Sequence, residues 1–265
     1  MNVLEKCPGS CGYTVRLAKN ADEVRKAQKL RYKSMVLDYN PQASPDGIDY
    51  TPEDEYCDHL IAVKDDTGEI VGNYRLLNSQ QAKENNAPFI CEREFDISAL
   101  KNLPDGILEI GRAVVDPEHR NAPIIKLLWQ GLLEYCTQFN IRYLFGTASF
   151  HPVSYNKDDA KHFAYAQAFS YLAQNHLISP ELNCPPREPN IPFEDMVKAF
   201  PNPDREIAKE QTPALIRTYL AMGASVSNGA YMDNEYHVPS IDCMVVIDLQ
   251  KVNLALMHRM FGVRI

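Results

Sequence analysis

One stretch of the chain, ILEIGRAVVDPEHRNAPIIKLLWQGLLEYC at residues 107–136, constrains the fold more than any other. It begins with an apolar run, typical of a buried β-strand, that carries two opposite charges, Glu109 and Arg112. A short polar turn leads into an apolar helical segment, and a second strand follows at residues 142–150. A strand, crossover helix and strand of this length predict a parallel pair in an α/β sheet.

Glu109 has aliphatic neighbours in Ile-Leu-Glu-Ile-Gly-Arg. A carboxylate in such a low-dielectric setting is suited to general-base chemistry near neutral pH, although a nearby arginine opposes this effect. Strict alternation places residues 109 and 112 on opposite faces of a strand, so they converge only if the strand is bulged. Gly111, which lies between them, is the expected bulge residue. The alternative is a structural ion pair on a sheet face.

The turn before the helix, Arg120-Asn121-Ala122-Pro123, is a candidate anion site. Asn121 is predicted to be the N-cap and Pro123 an early helical residue, with Arg120 beside the helix N-terminus. The turn is not glycine-rich, and Pro123 lacks a backbone donor. These features disfavour a cradle for a nucleotide pyrophosphate and favour a single phosphodiester. The alternative is an ordinary capped amphipathic helix.

Composition limits the classes of function. The length of 265 residues fits one large domain or two small ones, and a hydrophobic fraction of 45% supplies a core. No apolar run approaches the ~20 residues that span a bilayer, and the first residues lack the apolar region of a secretion signal. Seven scattered cysteines fit a reduced compartment, so a cytoplasmic location is expected. The net charge of -8 disfavours nucleic acid as a partner.

Metal and nucleophile motifs are weak. Cys7 and Cys11 form the closest cysteine pair, but no histidine or second pair lies near them, and the seven histidines are scattered. No Gly-x-Ser-x-Gly elbow is present. We therefore expect neither a metal site nor a bound cofactor.

The predicted first helix is basic on one face. Residues 13–18 read as a strand, Asn20 as a cap, and residues 21–37 as the helix. Arg25, Lys29 and Lys33 recur at a spacing of four and therefore share a face. This face is either a solvated surface or a docking surface for an acidic partner.

The remaining pattern predicts one mixed α/β domain over residues 1–265 with about six or seven strands. Residues 54–77 are typical of a β-hairpin whose turn lies at Asp65–Gly68. Residues 151–211 are rich in proline and predict a helical insertion or lid without a sheet of its own, including a helix near residues 158–175. The C-terminal VNLALMHRMFGVRI is either a helix packed on the sheet or a segment lying on a membrane surface.

In this order, the segments resemble the GNAT acyltransferase superfamily. The similarity is greatest to the branch that includes ornithine-lipid N-acyltransferases, with acyl-homoserine lactone synthases and long-chain N-acyl amino acid synthases as relatives. The resemblance implies a mixed, mostly antiparallel sheet with splayed central strands, flanked by helices. The stretches that carry it are LRYKSMV (30–36), DEYCDHLIAV (54–63), VGNYRLL (71–77), LEIGRAVVDPEHR and IKLLWQGLLEY (within 108–135), YLFGTASF (143–150) and YLAMGASV (219–226).

The resemblance also implies an activity, namely transfer of a long, often 3-hydroxylated acyl chain from acyl carrier protein to the α-amine of an amino acid, usually ornithine, in aminolipid synthesis. Glu109 matches the candidate base, and Arg112 is placed beside it in the catalytic site. The residues expected to line or brace the acceptor and acyl-phosphopantetheine sites are Arg75, Asp54, Asp58 and Arg31. Arg120 and Asn121 would contact the phosphopantetheine.

The departure from a glycine-rich turn favours a carrier-protein donor over coenzyme A. The basic helix face, Arg25, Lys29 and Lys33, fits an acidic acyl carrier protein. A lipid product would also suit peripheral contact with the inner membrane.

Other functions remain open at this point. An N-acyl amino acid synthase would use glycine or another amino acid, and an acyl-homoserine lactone synthase would use S-adenosylmethionine. A small-acyl acetyltransferase would bind coenzyme A tightly. A non-enzymatic acyl-carrier-binding or membrane-active protein would show no turnover with any amine.

Overall fold

The computed structural model describes residues 12–37, 40, 42, 44–234 and 239–262. The chain divides into two compact units, described separately below. The first unit comprises Met1–Pro88, Leu108–Arg142 and Leu254–Ile265, and the second comprises Phe89–Ile107 and Tyr143–Asn253. Cys7 and Cys11 lie outside the described residues.

Among the described residues, the strands in chain order are β1 (Tyr13–Leu17), β2 (Asp58–Lys64), β3 (Ile70–Asn78), β4 (Gly106–Val115), β5 (Ile141–Phe150), β6 (Asn190–Pro192), β7 (Ser225–Asp233) and β8 (Ser240–Asp248). The helices are α1 (Ala21–Arg31), α2 (Ser79–Glu84), α3 (Ser98–Lys101), α4 (Ile124–Gln138), α5 (Ala166–Asn175), α6 (Phe193–Ala199), α7 (Arg205–Gln211), α8 (Ala214–Ala221) and α9 (Leu254–Phe261). The structure describes eight strands, more than the predicted six or seven, because the sequence pattern does not predict β6 or β7 as strands. The splaying of the central strands stays a prediction.

The first unit contains the antiparallel series β1-β2-β3-β4. The predicted β2–β3 hairpin is confirmed, and Gly68 in its turn has a left-handed φ of 70°. Helix α1 covers one face, where Ala27 and Leu30 pack with Ile61 and Val114. Helix α4 covers the other face. A Cβ added to Gly72 would lie only 2.7 Å from Ile124 Cγ2, so the helix and the strand approach closely there.

Helix α1 begins as predicted, because Asn20 Oδ1 accepts a hydrogen bond from the Glu23 amide at 3.0 Å. The predicted helix over residues 21–37 changes its hydrogen-bond spacing near its end, where Tyr32–Val36 form a π-helical turn. A π turn of this kind often occurs near a functional site. Arg31, the last residue of α1, lies directly before it.

The second unit contains the antiparallel series β5-β8-β7-β6. Strand β6 lies inside the predicted insertion and pairs with Gly229–Tyr231 of β7, so this segment contributes one short strand that the sequence pattern does not predict. The predicted helix near residues 158–175 is interrupted, since Lys157–His162 form a separate 3₁₀ segment before α5. Phe169 of α5 packs against Phe150 and Phe193, with ring centroids 4.9 Å and 4.8 Å away.

The C-terminal helix α9 packs through one side, on which Met257 and Phe261 are buried. Phe261 stacks on Trp129 with ring centroids 5.1 Å apart, and Gln130 Nε2 donates to the Phe261 carbonyl at 2.6 Å. Packing is therefore confirmed for this side of the helix, with α4 as its partner, whereas contact with a membrane surface stays a prediction. Within the part of the chain that the structure describes, no helix combines the length and apolar character needed to cross a bilayer.

Candidate active site

The bulge predicted in β4 is confirmed. Asn73 of β3 pairs with Val114 and Arg75 pairs with Gly111, so residues 112 and 113 of β4 face the single residue Tyr74. Arg112, and not Gly111, adopts the left-handed conformation, with φ of 51°. The expectation that Gly111 is the bulge residue is thus corrected. A non-glycine residue in this region costs about 1–3 kcal/mol, a strain found mainly at functional sites.

Two polar contacts hold the bulge in this shape. Asn73, which is fully buried, donates from Nδ2 to the Arg112 carbonyl at 3.1 Å. Arg112 Nε donates to Asp49 Oδ2 at 3.0 Å, and Arg31 Nε donates to the same oxygen at 2.8 Å. Since Arg31 belongs to α1, the Arg112 guanidinium lies on the α1 side of the sheet. The bulge therefore turns Arg112 toward the face that carries Glu109.

The strand register fixes which side chains share that face. Arg75 pairs with His59 on β2 and Gly111 on β4, and Leu77 pairs with Glu109. Directly paired residues project to the same side of an antiparallel sheet, as do residues two apart on one strand. His59, Arg75 and Glu109 therefore occupy the α1 face. Arg75 and Glu109 are diagonal neighbours, a relation that places their backbones about 7–8 Å apart.

Arg31 is the centre of a buried ion-pair network. Its side chain is 0% exposed, and Nη1 and Nη2 donate to the two oxygens of Asp54 at 2.9 Å and 2.6 Å. Nη2 also donates to the Asp49 carbonyl. All three guanidinium nitrogens thus bond within the protein, so Arg31 braces the site and does not offer a free edge to a ligand.

Asp54 is the shared acceptor of this network. Besides Arg31, it accepts from Gln28 Nε2 at 3.0 Å and from Arg75 Nη1 at 3.2 Å. Burial opposes its ionisation, but the hydrogen bonds and charge of Arg31 and the charge of Arg75 outweigh burial and hold the pKa of Asp54 well below its usual range. Asp54 is consequently a fixed negative charge.

His59 faces Asp54 from β2. Its Nε2 lies 3.3 Å from the Asp54 carbonyl oxygen, and its side chain is almost fully buried. Burial lowers the pKa of His59, and the nearby Asp54 charge only partly opposes this. The imidazole is therefore neutral at neutral pH.

The structure does not bring Asp58 to Glu109. Asp58 pairs with Leu76, one position along from the His59–Arg75 pair, and therefore projects to the α4 face. Its Oδ2 accepts from Tyr135 Oη at 2.9 Å and from Gln81 Nε2 at 2.7 Å. Burial and then the Asp58 charge raise the pKa of Tyr135, which stays a neutral phenol. These contacts give Asp58 a role in anchoring α4.

The turn before α4 differs from the prediction. The helix begins at Ile124 with Pro123 at the N-cap and no side-chain cap, so Asn121 is not the N-cap. Asp116 instead accepts from the Glu118 amide at 2.9 Å and caps a 3₁₀ turn at Pro117–His119, which delays the helix. Arg120 and Asn121 are exposed in the turn that follows.

The predicted docking residues on α1 and the π turn are exposed, but they differ in pairing. Lys33 Nζ lies 3.0 Å from Asp116 and 3.8 Å from Glu118, so its charge is partly neutralised. Arg25 and Lys29 lie on the exposed surface of α1. The docking potential of this face rests mainly on these two residues.

Five site residues were not predicted from the sequence, namely Gln28, Asp49, Thr51, His59 and Asn73. Asp49 lies in a loop with no distinguishing pattern, whereas the alternation of β2 and β3 was sufficient to place His59 and Asn73 on the face of Arg75. The Thr51-x-x-Asp54 spacing is itself a capping-box signal. It corresponds to the 3.2 Å hydrogen bond from the Thr51 amide to Asp54 Oδ2.

Comparison with known proteins relates this chain to a group of transferases. Residues 30–130 match a family model described as an acetyltransferase (GNAT) domain. The chain is 34% identical to an L-ornithine N(alpha)-acyltransferase of Rhodobacter capsulatus, covering 95% of each protein. It is 31% identical to a protein of the same name from Agrobacterium fabrum, covering 89% of this chain and 81% of that protein.

Among solved structures, a CoA-dependent acyl-homoserine lactone synthase, MesI, superposes with a TM-score of 0.50 at 17% identity. The match covers 94% of this chain and 96% of that chain, and it supports the fold alone. The GNAT domain match and the identity over almost the full length lead to one assignment. The chain is an acyltransferase and belongs to the L-ornithine N(alpha)-acyltransferase family.

Proposed function

We propose that this protein transfers a long 3-hydroxyacyl chain from acyl carrier protein to the α-amine of L-ornithine, the first acylation of an ornithine lipid. The observation that supports this most is the α1 face of the first unit. There Glu109 (5% exposed) and Arg75 (3% exposed) are diagonal neighbours beside a strained bulge. A base beside a carboxylate-binding arginine suits an amino-acid acceptor.

Arg75 is the better of the two candidate anchors for the acceptor carboxylate. Its Nη1 is held by Thr51 Oγ1 at 2.7 Å and by Asp54 at 3.2 Å, whereas Nε has no hydrogen-bond partner among the described residues. A carboxylate binds a guanidinium through two parallel hydrogen bonds, and the buried Nε of Arg75 is a donor that such a ligand would satisfy. The Nε of Arg112, by contrast, is already bonded to Asp49.

The charges near this face suit a cationic acceptor. Burial raises the pKa of the Cys57 thiol to about 12, the Arg75 charge opposes this, and the charges of Glu109, Asp54 and Glu53 reinforce it. The region as a whole holds four carboxylates against three guanidinium groups, namely Asp49, Glu53, Asp54 and Glu109 against Arg31, Arg75 and Arg112. Ornithine carries two ammonium groups and one carboxylate, so its binding balances this excess of negative charge.

The proposed mechanism is direct attack without an acyl-enzyme. Glu109, through one water, accepts a proton from the α-ammonium, and the free amine attacks the thioester carbonyl. Backbone N–H groups at the β4 bulge stabilise the oxyanion. Collapse breaks the C–S bond, and the thiol of phosphopantetheine leaves with the second proton of the amine. A thiol with a pKa of about 12 is a poor nucleophile, so Cys57 is an unsuitable alternative.

The donor arm is proposed to enter by the turn before α4. Arg120 and Asn121 are exposed next to a helix N-terminus that has no side-chain cap, where the amides of the first turn favour one phosphate. The acidic carrier protein would dock on Arg25, Lys29 and, more weakly, Lys33. The expected compartment is the cytoplasm, with peripheral contact at the inner membrane where the amphiphilic product is released.

The test is an acceptor panel. Purified protein is incubated with 3-hydroxyacyl carrier protein and, separately, L-ornithine, glycine, other amino acids and S-adenosylmethionine, and the products are identified by mass spectrometry. We expect Nα-acylornithine to form fastest, and faster than with the matching acyl-coenzyme A donor. A preference for another amine, or a lactone product, would identify one of the alternative synthases. Absence of turnover with every amine would favour the non-enzymatic alternative.

The carrier-docking proposal predicts a donor-specific defect. Reversing two charges in Arg25→Glu/Lys29→Glu is expected to raise the KM for acyl carrier protein by about 3–10-fold, because rim charges steer association. The KM for the same acyl group on free pantetheine should not change. Lys209→Glu, on exposed helix α7, is the matched control and should leave both values unchanged. Equal effects on both donors would contradict docking at α1.

A further inference from the structure

Neither the packing nor the backbone conformation of β4 requires a glycine at position 111. A Cβ built on it would meet no atom within 4 Å, and its φ is outside the left-handed region. Glycine in a strand interior weakens folding, and it often marks a place where a ligand approaches the backbone. The position is half-buried, in the middle of β4.

Gly72 on the adjacent strand β3 shows the opposite situation. A Cβ there would lie 2.7 Å from Ile124 Cγ2, 3.0 Å from Leu128 Cδ1 and 3.3 Å from Ala62 Cβ. That glycine is required because helix α4 packs against it. The space at Gly111 is not filled by the protein in this way.

The open space lies among charged side chains. Gly111 pairs directly with Arg75 and is two residues from Glu109, so all three project to the α1 face, and His59 lies across the next strand. An acyl chain placed here would bury apolar groups against charges that need polar partners. A carboxylate and an ammonium, by contrast, match Arg75 and Glu109.

We propose that Gly111 is a specificity-determining residue that keeps open the space for the acceptor amino acid. This inference rests on the proposed function. The acceptor Cα lies over Gly111, its carboxylate bonds Arg75, and its amine is directed to Glu109. A methyl group at position 111 would occupy the volume that the acceptor needs, while leaving the protein's own packing unchanged.

The test is Gly111→Ala, assayed for both substrates and for folding. The Tm is expected to stay the same or rise by about 2–4 °C, since alanine reduces the entropy of the unfolded chain. The KM for L-ornithine should rise at least tenfold, and calorimetry should show the same loss of ornithine affinity. The KM for the acyl donor should stay within about twofold of its original value, because the added methyl group projects toward Arg75 and the backbone N–H groups of the bulge are retained.

Gly72→Ala is the matched control. Its overlap with Ile124 should lower the Tm, while the KM for ornithine of the folded protein stays unchanged. Unchanged ornithine affinity in Gly111→Ala would overturn the inference, and so would a rise confined to the KM of the donor, which would assign the space to the thioester arm. The unsubstituted protein is measured in parallel, and its failure to acylate ornithine would count against the proposed function and not against the role of Gly111 alone.

Discussion

Replacing Glu109 by glutamine is expected to lower kcat for ornithine acylation by about 10²–10⁴-fold at pH 7, the usual contribution of general-base catalysis. Glutamine has nearly the same shape as glutamate but cannot accept the proton of the acceptor ammonium. Glu109 is buried on the face that carries Arg75, and the nearby carboxylate of Asp54 is held by Arg31 and Arg75. The measurement is kcat and KM for purified protein with saturating acyl carrier donor.

The pH dependence separates a base from a binding residue. In Glu109→Gln, only acceptor that is already deprotonated in solution can react, so the rate should rise about tenfold per pH unit below the amine pKa of about 8–9. The unsubstituted protein should depend less on pH over the same range. Glu118→Gln, an exposed acid beyond the end of β4 that lies 3.8 Å from Lys33, is the control and should behave as the unsubstituted protein. An undiminished rate in Glu109→Gln would exclude the base assignment.

The sequence predicts the bulge in β4 but not its conformation. Two charges three residues apart in an apolar strand conflict with strict alternation, and only a bulge resolves the conflict. Propensity then favours Gly111 for the left-handed position. In the structure, the hydrogen bonds of Asn73 to the Arg112 carbonyl and of Arg112 to Asp49 stabilise the strain at Arg112. Contacts over such separations are not visible in a local pattern.

The same reason explains the other differences. Asp49 bonds to Arg31 and Arg112, which lie 18 and 63 residues away from it in the sequence. Asp58 was assigned to the pocket by resemblance, although the alternation that places His59 on the α1 face directs Asp58 to α4. The sequence pattern does not predict strand β6, because the strand is only three residues long and ends at a proline. The local periodicity therefore predicts which face of the sheet each strand residue occupies. The partners of the site residues depend on contacts between distant parts of the sequence.

Replacing Asp54 by alanine is expected to lower the free energy of unfolding by about 3–5 kcal/mol, because it removes a buried carboxylate that pairs with two buried arginines and leaves Asp49 alone to balance the charge of Arg31. Arg31, which is 0% exposed, would lose the acceptor of Nη1 and one of the two acceptors of Nη2, and Arg75 would lose one of the two partners that hold Nη1. Urea unfolding at pH 7, followed by circular dichroism, measures the change. The exposed pair of Asp66 with Lys64, at 3.3 Å and with Asp66 68% exposed, supplies the control. Asp66→Ala should cost at most about 1 kcal/mol.

The pH dependence of this loss follows from the pKa of Asp54. That pKa is lowered in the folded protein, since the hydrogen bonds and charges of Arg31 and Arg75 outweigh the effect of burial. The unfolded state therefore binds the proton more tightly, so the stabilisation by Asp54 is complete above the unfolded pKa of about 3.9 and declines as the pH falls toward the folded value. The difference in stability between the unsubstituted protein and Asp54→Ala should accordingly be constant from pH 5 to 8 and shrink only in stronger acid. A difference that already disappeared between pH 6 and 7 would assign the stabilisation to the titration of His59, because a histidine of ordinary pKa in the unfolded chain gains its proton in this range.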